Sequence, residues 1–133
     1  SYWPAKYPDL KIAIAESGIG WVAMLADRLD NIMSRSGYGS GWPDKHNSPS
    51  DVLRRNFWFC MIDDPSTIST LDKIGIDHVV AESDYPHGDG TWPDTQRVME
   101  KMLAGLPVEW IRKIMHENAA ALYRHPLPAH RLP

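Results

Sequence analysis

Residues 57–62 constrain the fold more than any other stretch of the chain, because all six are apolar. A strand that faces water on one side alternates apolar and polar residues, whereas this run carries apolar side chains on both faces. The run ends abruptly at Asp63 and Asp64. It therefore predicts a strand that is covered on both sides, as in a parallel sheet with helices packed against it.

Two shorter apolar runs also end at polar residues. Residues 10–15 form a run rich in isoleucine and alanine that stops at Glu16, and residues 78–84 pass through two valines to Asp84. Their lengths and β-branched composition predict strands. Apolar residues at three- and four-residue spacing predict helices between and after the strands, over residues 21–33, 49–55, 65–74, 93–103 and 107–122.

Local signals predict where these helices begin and end. The Ser48-Pro49 pair is typical of an N-cap and a first helical residue, the Asp64-Pro65 pair is expected to cap the next helix, and Gly75 is expected to end it. The first helix is predicted to end by Gly37, where a polar loop over residues 36–48 begins. Methionines at helical spacing are expected in the core: Met24, Met33, Met99, Met102 and Met115.

The order of these elements predicts an α/β fold. Strands that alternate with helices are joined by right-handed crossovers and pair in parallel, so their carboxyl ends lie on one rim. On that rim the sequence places Glu16, the Asp63-Asp64 pair and Asp84. Three strands cannot close a barrel, and an eight-unit barrel needs about 250 residues. The 133-residue chain is therefore expected to form the last three β/α units of a partial (β/α)8 barrel.

Composition narrows the possible partners and location. The chain has 14 basic and 17 acidic residues, a formal net charge of -3, and no basic cluster that could follow a nucleic-acid backbone. No run approaches the roughly 20 apolar residues that span a membrane, and no signal peptide is recognisable. The single cysteine, Cys60, lies in an apolar run and is expected to be a reduced, buried thiol. We therefore expect neither a nucleic-acid nor a membrane partner, and a cytoplasmic location.

The acids at the ends of the first and third strands are candidates for chemistry. Strict alternation places Asp84 on the face of Val80 and Glu82, and Glu16 on the face of Ile12 and Ile14. If both strands present those faces to the same mouth, the two carboxylates can share a proton or hold a divalent metal. His87, three residues after Asp84, is a possible neighbour. The alternative is that both acids only cap turns and that His87 is a solvated loop residue.

Four motifs together resemble the amidohydrolase-2 family, the relatives of aminocarboxymuconate-semialdehyde decarboxylase. They are the runs at residues 83–93, 16–21, 54–57 and 118–123. The first reads Ser-Asp-Tyr-Pro-His followed by Asp-Gly-Thr-Trp-Pro, and the last reads Asn-Ala-Ala-Ala-Leu-Tyr. The resemblance implies that residues 1–124 are the C-terminal part of a (β/α)8 barrel. Residues 125–133 are a proline-rich tail.

The resemblance also implies a role for Asp84. In that family the aspartate that ends the last strand binds the metal or its activated water, and zinc is the metal expected in the complete enzyme. The family's other ligands are a His-x-His pair and a further histidine, and this sequence contains neither the pair nor a segment for it. Where decarboxylating relatives have a histidine at the end of the sixth strand, this chain has Glu16. Hydrolysis and decarboxylation therefore both stay open.

These observations leave two main hypotheses. In the first, the chain is the C-terminal segment of a metal-dependent hydrolase or decarboxylase of small molecules, with Asp84, Glu16 and His87 at the site and little metal bound by this chain alone. In the second, it is a non-catalytic module that forms homo-oligomers or docks onto a separate barrel half through its open sheet. An ordinary open α/β sheet with a ligand at its rim is a third possibility.

Overall fold

A parallel sheet forms the centre of the molecule. In the computed structural model, which describes residues 2–35 and 41–129, the strands are β1 (Ile12–Ile14), β2 (Phe57–Met61) and β3 (Val79–Ala81). All pairing is parallel, in the order β1-β2-β3. The predicted α/β fold and the parallel arrangement are confirmed. The first predicted helix ends at Ser34, and so by Gly37 as predicted. The first part of the predicted loop and the end of the tail lie outside the described residues.

The two outer strands are shorter than predicted, because their first predicted residues bond to a side chain or belong to a turn. The carbonyl oxygen of Leu10 accepts a hydrogen bond of 2.6 Å from the Asn56 side-chain amide, and Leu10 lies outside β1. His78 belongs to a 3-10 turn, Ile76–His78, that leads into β3. Beyond β3, the Glu82 N–H still donates to the Met61 carbonyl at 2.8 Å, so the pairing of the strands continues for one residue.

Helices surround the sheet in the order that the sequence predicts. The α-helices are α1 (Trp3–Lys6), α2 (Val22–Ser34), α3 (Pro49–Asn56), α4 (Leu71–Ile74), α5 (Thr95–Met102), α6 (Val108–Arg112) and α7 (Asn118–Tyr123). A π-helix, Lys113–Glu117, joins α6 to α7. The short α1 is not predicted from the sequence, and α5 begins two residues after Pro93.

The predicted start of α3 is confirmed by reciprocal hydrogen bonds. The Ser48 hydroxyl accepts from the Asp51 N–H at 3.2 Å, and the Asp51 carboxylate accepts from the Ser48 N–H at 2.9 Å. Pro49 occupies the first helical position, where its missing N–H costs nothing. These bonds satisfy two backbone donors that a helix leaves without internal partners.

The prediction of one continuous helix over residues 65–74 is corrected by the structure, which shows two different kinds of helix there. Pro65–Thr70 forms a 3-10 helix, and only Leu71–Ile74 is α-helical. The hydroxyls of Thr67 and Thr70 donate to carbonyls three residues earlier, at 2.7 and 2.8 Å, which favours the tighter 3-10 winding. The Asp64 side chain does not cap this helix. Gly75 ends α4 with a φ of 102°, as predicted.

Both faces of the sheet are covered in part, as residues 57–62 predict. Phe59, Met61 and Val79 lie on one face, are fully buried and pack against the helices. Trp58, Cys60 and Val80 lie on the second face, where Ala119 and Leu122 of α7 pack against them. The core is therefore divided between the two sides of β2.

Helix α7 is fixed at the amino ends of the strands. The Asn118 side-chain amide donates to the carbonyls of Ile76 and Val79, at 2.8 and 2.7 Å. Lys11, just before β1, donates to the Ala121 carbonyl at 3.4 Å. Because these contacts all involve the beginnings of strands, they do not occupy the carboxyl ends.

The expectation that the methionines at helical spacing lie in the core is wrong for Met24 and Met115, whose exposed fractions are 63% and 36%. Helix α2 buries Val22, Ala23 and Ala26, and the first two join the core cluster of the sheet, so Met24 lies on the opposite side of the helix. Met99 and Met102 of α5 are buried, as predicted. Among the described residues, no helix has the length and apolar composition to cross a membrane.

Candidate functional site

Three side chains from the two outer strand ends converge at the carboxyl rim of the sheet. Glu16 follows β1, Asp84 follows β3, and His87 lies in the turn after Asp84. One possible ligand atom of each residue lies within 4.8 Å of the other two. The structure thus brings together the three residues that the sequence singles out.

The convergence does not arise from strand alternation, and that part of the prediction is wrong. The register places Ile14 beside Phe59 and Phe59 beside Val79, so Ile14 shares a face with Val79 and not with Val80. Extended continuations of β1 and β3 would therefore send Glu16 and Asp84 to opposite faces of the sheet. Both residues instead adopt left-handed backbone conformations, with φ of 57° and 53°. This change of backbone direction brings the two carboxylates together.

The left-handed conformation has an energetic cost that differs between the two residues. For a residue with a Cβ atom it costs roughly 1–2 kcal/mol, and aspartate tolerates it better because its short side chain can bond locally. Glutamate has no such advantage. Glu16 is therefore the residue whose conformation most needs support from its surroundings.

Asp84 and His87 form a close pair. The Nδ1 atom of His87 lies 3.0 Å from Oδ1 and 3.1 Å from Oδ2 of Asp84, and the His87 N–H donates to the Asp84 carbonyl at 2.8 Å. The Asp84 side chain is 11% exposed and that of His87 is 59% exposed. The hydrogen bond to Asp84 raises the pKa of His87, and the charges of Asp84 and Glu16 raise it further. Asp84 thus orients the imidazole while the ring stays open to solvent.

Gly90 allows the loop to fold closely over the Asp84 backbone. A Cβ atom at this position would lie 2.6 Å from the Ser83 carbonyl oxygen and 2.7 Å from that of Asp84. The Thr91 N–H donates to the Ser83 carbonyl at 2.9 Å across the same loop. The absence of a side chain at residue 90 therefore helps to define the position of Asp84.

Glu82 is a contributor to the site that the sequence argument does not single out. Its Oε2 atom accepts a hydrogen bond of 2.9 Å from the Glu16 N–H. Burial, followed by the Glu82 charge, raises the pKa of Cys60 to about 11, so this thiol stays protonated at neutral pH. In the sequence, strand alternation puts Glu82 on the same face as Val80. This signal could have indicated the direction of the Glu82 side chain.

The acids at the end of β2 do not join the cluster. The Asp64 carboxylate accepts from the Ile62 N–H at 3.3 Å, and a Cβ atom on Gly18 would lie 2.7 Å from Asp64 Oδ1. Asp64 therefore packs against the turn after β1, and Asp63 is exposed. Acids follow all three strands at the carboxyl rim, as expected. Among the described residues, only those at the ends of β1 and β3 form the cluster.

The donor atoms of the cluster suit a divalent metal. Two carboxylates and one imidazole are ligands that zinc and manganese both accept. Within residues 2–35 and 41–129, no other three His, Cys, Asp or Glu side chains bring their ligand atoms together in this way. The residues present are therefore compatible with a metal, although they supply only one imidazole.

A parallel sheet with an acidic carboxyl rim and a helix at the opposite end is the arrangement expected of part of a (β/α)8 barrel, and open α/β sheets share it. The family model for amidohydrolases matches residues 3–125. The chain therefore belongs to the amidohydrolase-2 family, as its motifs suggest. A comparison with curated protein sequences found no match.

Solved structures support the same fold. An amidohydrolase from Mycobacterium avium subsp. paratuberculosis K-10 is 28% identical, with a TM-score of 0.71 over 89% of this chain and 29% of that chain. A 5-carboxyvanillate decarboxylase from Sphingomonas paucimobilis is 22% identical, with a TM-score of 0.74 over 93% of this chain and 36% of that chain.

A third structure carries a metal. It is a dihydroxybenzoic acid decarboxylase from Polaromonas sp. JS666, with bound manganese and the inhibitor 2-nitroresorcinol. It is 21% identical, with a TM-score of 0.69 over 90% of this chain and 35% of that chain. The chain thus spans between 29% and 36% of the length of these structures, which makes it a partial barrel.

Proposed function

We propose that this chain supplies part of the active-site rim of a metal-dependent amidohydrolase-family enzyme that hydrolyses or decarboxylates a small molecule. Asp84 is the metal ligand, and Glu16 and His87 are its neighbours in the reaction. The observation that carries the proposal is the approach of the three ligand atoms to within 4.8 Å of one another at the rim. Acids and an imidazole that meet there have the composition of a metal or proton-transfer site.

Each side chain has a distinct part in this proposal. The Asp84 carboxylate is the least exposed, and its two oxygens keep free lone pairs after they bond to His87. Glu16 presents a second carboxylate that can bind the metal or accept a proton from water. His87 uses Nδ1 toward Asp84, which leaves Nε2 free to exchange protons with the substrate or the solvent.

The metal itself supplies Lewis-acid chemistry and lowers the pKa of water. Zinc remains the metal that we propose for the complete enzyme, and manganese is the alternative that the Polaromonas structure suggests. In this chain alone Glu16 and His87 are exposed to solvent, and the sequence has no His-x-His pair to add ligands. We therefore expect weak metal binding by the chain alone.

The relatives suggest a substrate class to test first. Two of the solved structures are named as decarboxylases of aromatic acids, 5-carboxyvanillate and dihydroxybenzoic acid. A small aromatic carboxylic acid is therefore the first substrate that we propose. The proposal includes a cytoplasmic location, which the buried, unpaired thiol of Cys60 supports.

Metal titration of the purified chain tests the proposal. Calorimetry with Zn²⁺ and with Mn²⁺ should show one site, and Asp84→Asn should weaken binding at least about tenfold, because it removes a charged ligand. Asp63→Asn is the matched control, since it removes an exposed acid from the neighbouring strand end. Equal effects of the two substitutions, or unchanged binding in Asp84→Asn, would contradict the assignment.

A second candidate function is that of a non-catalytic assembly module. Within the described residues, β1 and β3 are edge strands, and α7 packs against the second face of the sheet near its amino end. Unpaired strand edges favour association, and the second face is exposed at Ala13 of β1. In this case the chain would form homo-oligomers or bind a separate barrel half.

A further inference from the structure

We propose that Glu82 is a positioning residue that holds the backbone of Glu16 in the conformation that the rim requires. The geometry that carries this inference is the 2.9 Å hydrogen bond from the Glu16 N–H to Oε2 of Glu82. The consequence for metal binding rests on the function proposed above. The hydrogen bond and its effect on the Glu16 backbone do not.

The bond crosses the sheet. Glu16 follows β1 and Glu82 follows β3, and β2 lies between these strands. The Glu82 side chain and its hydrogen bond together therefore link the ends of the two outer strands across the end of β2. The influence of Glu82 on the thiol of Cys60, a β2 residue, agrees with this path. The Glu82 backbone is itself held by its bond to the Met61 carbonyl.

The location of the bond explains why it matters. Glu16 has a φ of 57°, which a glutamate adopts only when its surroundings favour it. A charged acceptor aimed at its N–H fixes the peptide plane just before the side chain that turns toward Asp84 and His87. Glu82 does not belong to the group whose ligand atoms converge, so it acts through Glu16 and not as a further ligand.

Two substitutions of the full chain separate the hydrogen bond from the charge. Glu82→Gln keeps an oxygen acceptor and removes the charge, whereas Glu82→Leu removes both and keeps a similar volume. Amide hydrogen exchange of Glu16, followed by NMR, should be slow in the wild type and in Glu82→Gln. It should be about tenfold faster in Glu82→Leu, because the N–H loses its partner. Exchange at the buried Phe59 amide reports on the fold and should not change.

Calorimetry with Mn²⁺ alone gives the second readout. Affinity should fall by about tenfold in Glu82→Leu and by no more than about threefold in Glu82→Gln. Fast exchange of the Glu16 amide in Glu82→Gln, or unchanged exchange in Glu82→Leu, would overturn the proposal. Equal losses of affinity in both variants would also overturn it, since charge alone would then explain the effect. If the wild type bound no Mn²⁺ while the exchange pattern held, the proposed function would fail and the positioning role would stand.

Discussion

At the scale of single residues, the site depends on two carboxylates that leave the geometry of their strands. Asp84 reaches its position in a loop that Gly90 and the Ser83–Thr91 hydrogen bond hold closely folded. Glu16 reaches its position with the support of Glu82. Neither left-handed conformation follows from an alternating pattern, because the pattern assumes extended backbone throughout. The sequence therefore predicts which residues meet but not how they meet.

His78 gives a residue-scale prediction about pH. Its half-buried ring lies against Trp58 in a tilted arrangement, with the ring centroids 4.2 Å apart, and its Nδ1 atom lies 2.8 Å from the Phe57 carbonyl oxygen. Burial is the main cause that lowers the pKa of His78 below 6.5, with a further contribution from Lys11, while the Phe57 contact and Asp77 act in the opposite direction. The unfolded chain therefore binds this proton more readily than the folded chain.

The sign of the effect follows from that difference. The contribution of His78 to stability is complete above pH 6.5 and is lost as the pH falls from there through the lowered pKa. His78→Phe keeps an aromatic ring against Trp58 and removes the titration. Urea unfolding at pH 5.0 and 7.5 should show a smaller loss of stability on acidification in this variant than in the wild type. His125→Phe, in the exposed tail, is the control, and an unchanged loss in His78→Phe would refute the prediction.

At the scale of elements, what the sequence predicts depends on how local the signal is. The apolar run of β2 and the cap at Ser48 are local, and both are confirmed. The 3-10 winding of Pro65–Thr70 depends on two threonine hydroxyls, and the start of β1 depends on Asn56, a residue far along the chain. A pattern of apolar residues shows neither these hydroxyl bonds nor a partner that is distant in the sequence.

The open edges of the sheet give a prediction at the same scale. If the chain is an assembly module, sedimentation at micromolar concentration should show a dimer or larger species, because β1 and the second face of the sheet would be covered by a partner. Ala13→Glu would place a charge on that face, next to Trp58, and should shift the chain toward monomer. Met24→Glu, at an exposed position of α2, is the control. A clean monomer in the wild type would count against homo-oligomerisation.

At the scale of the whole molecule, the chain forms a partial barrel with distinct ends. Helix α7 covers the amino ends of the strands, and the acids and His87 lie at the carboxyl ends. The order of strands and helices is enough to predict the carboxyl rim, because parallel pairing places all carboxyl ends together. The position of α7 depends on the hydrogen bonds of Asn118. The roles of Asp84, Glu16 and His87, and the substrate, remain proposals because the chain spans only part of its solved relatives.

The most direct test of the central claim is a Zn²⁺ titration of the chain observed at the side chains themselves. The ¹³C carboxyl resonances of Glu16 and Asp84 and the ¹⁵N imidazole resonances of His87 should shift together along one binding curve. The carboxyl resonance of Asp63 should stay in place, since this residue lies outside the cluster. If Asp63 shifted along the same curve, or if His87 shifted without the two carboxylates, the three residues would not form one metal site.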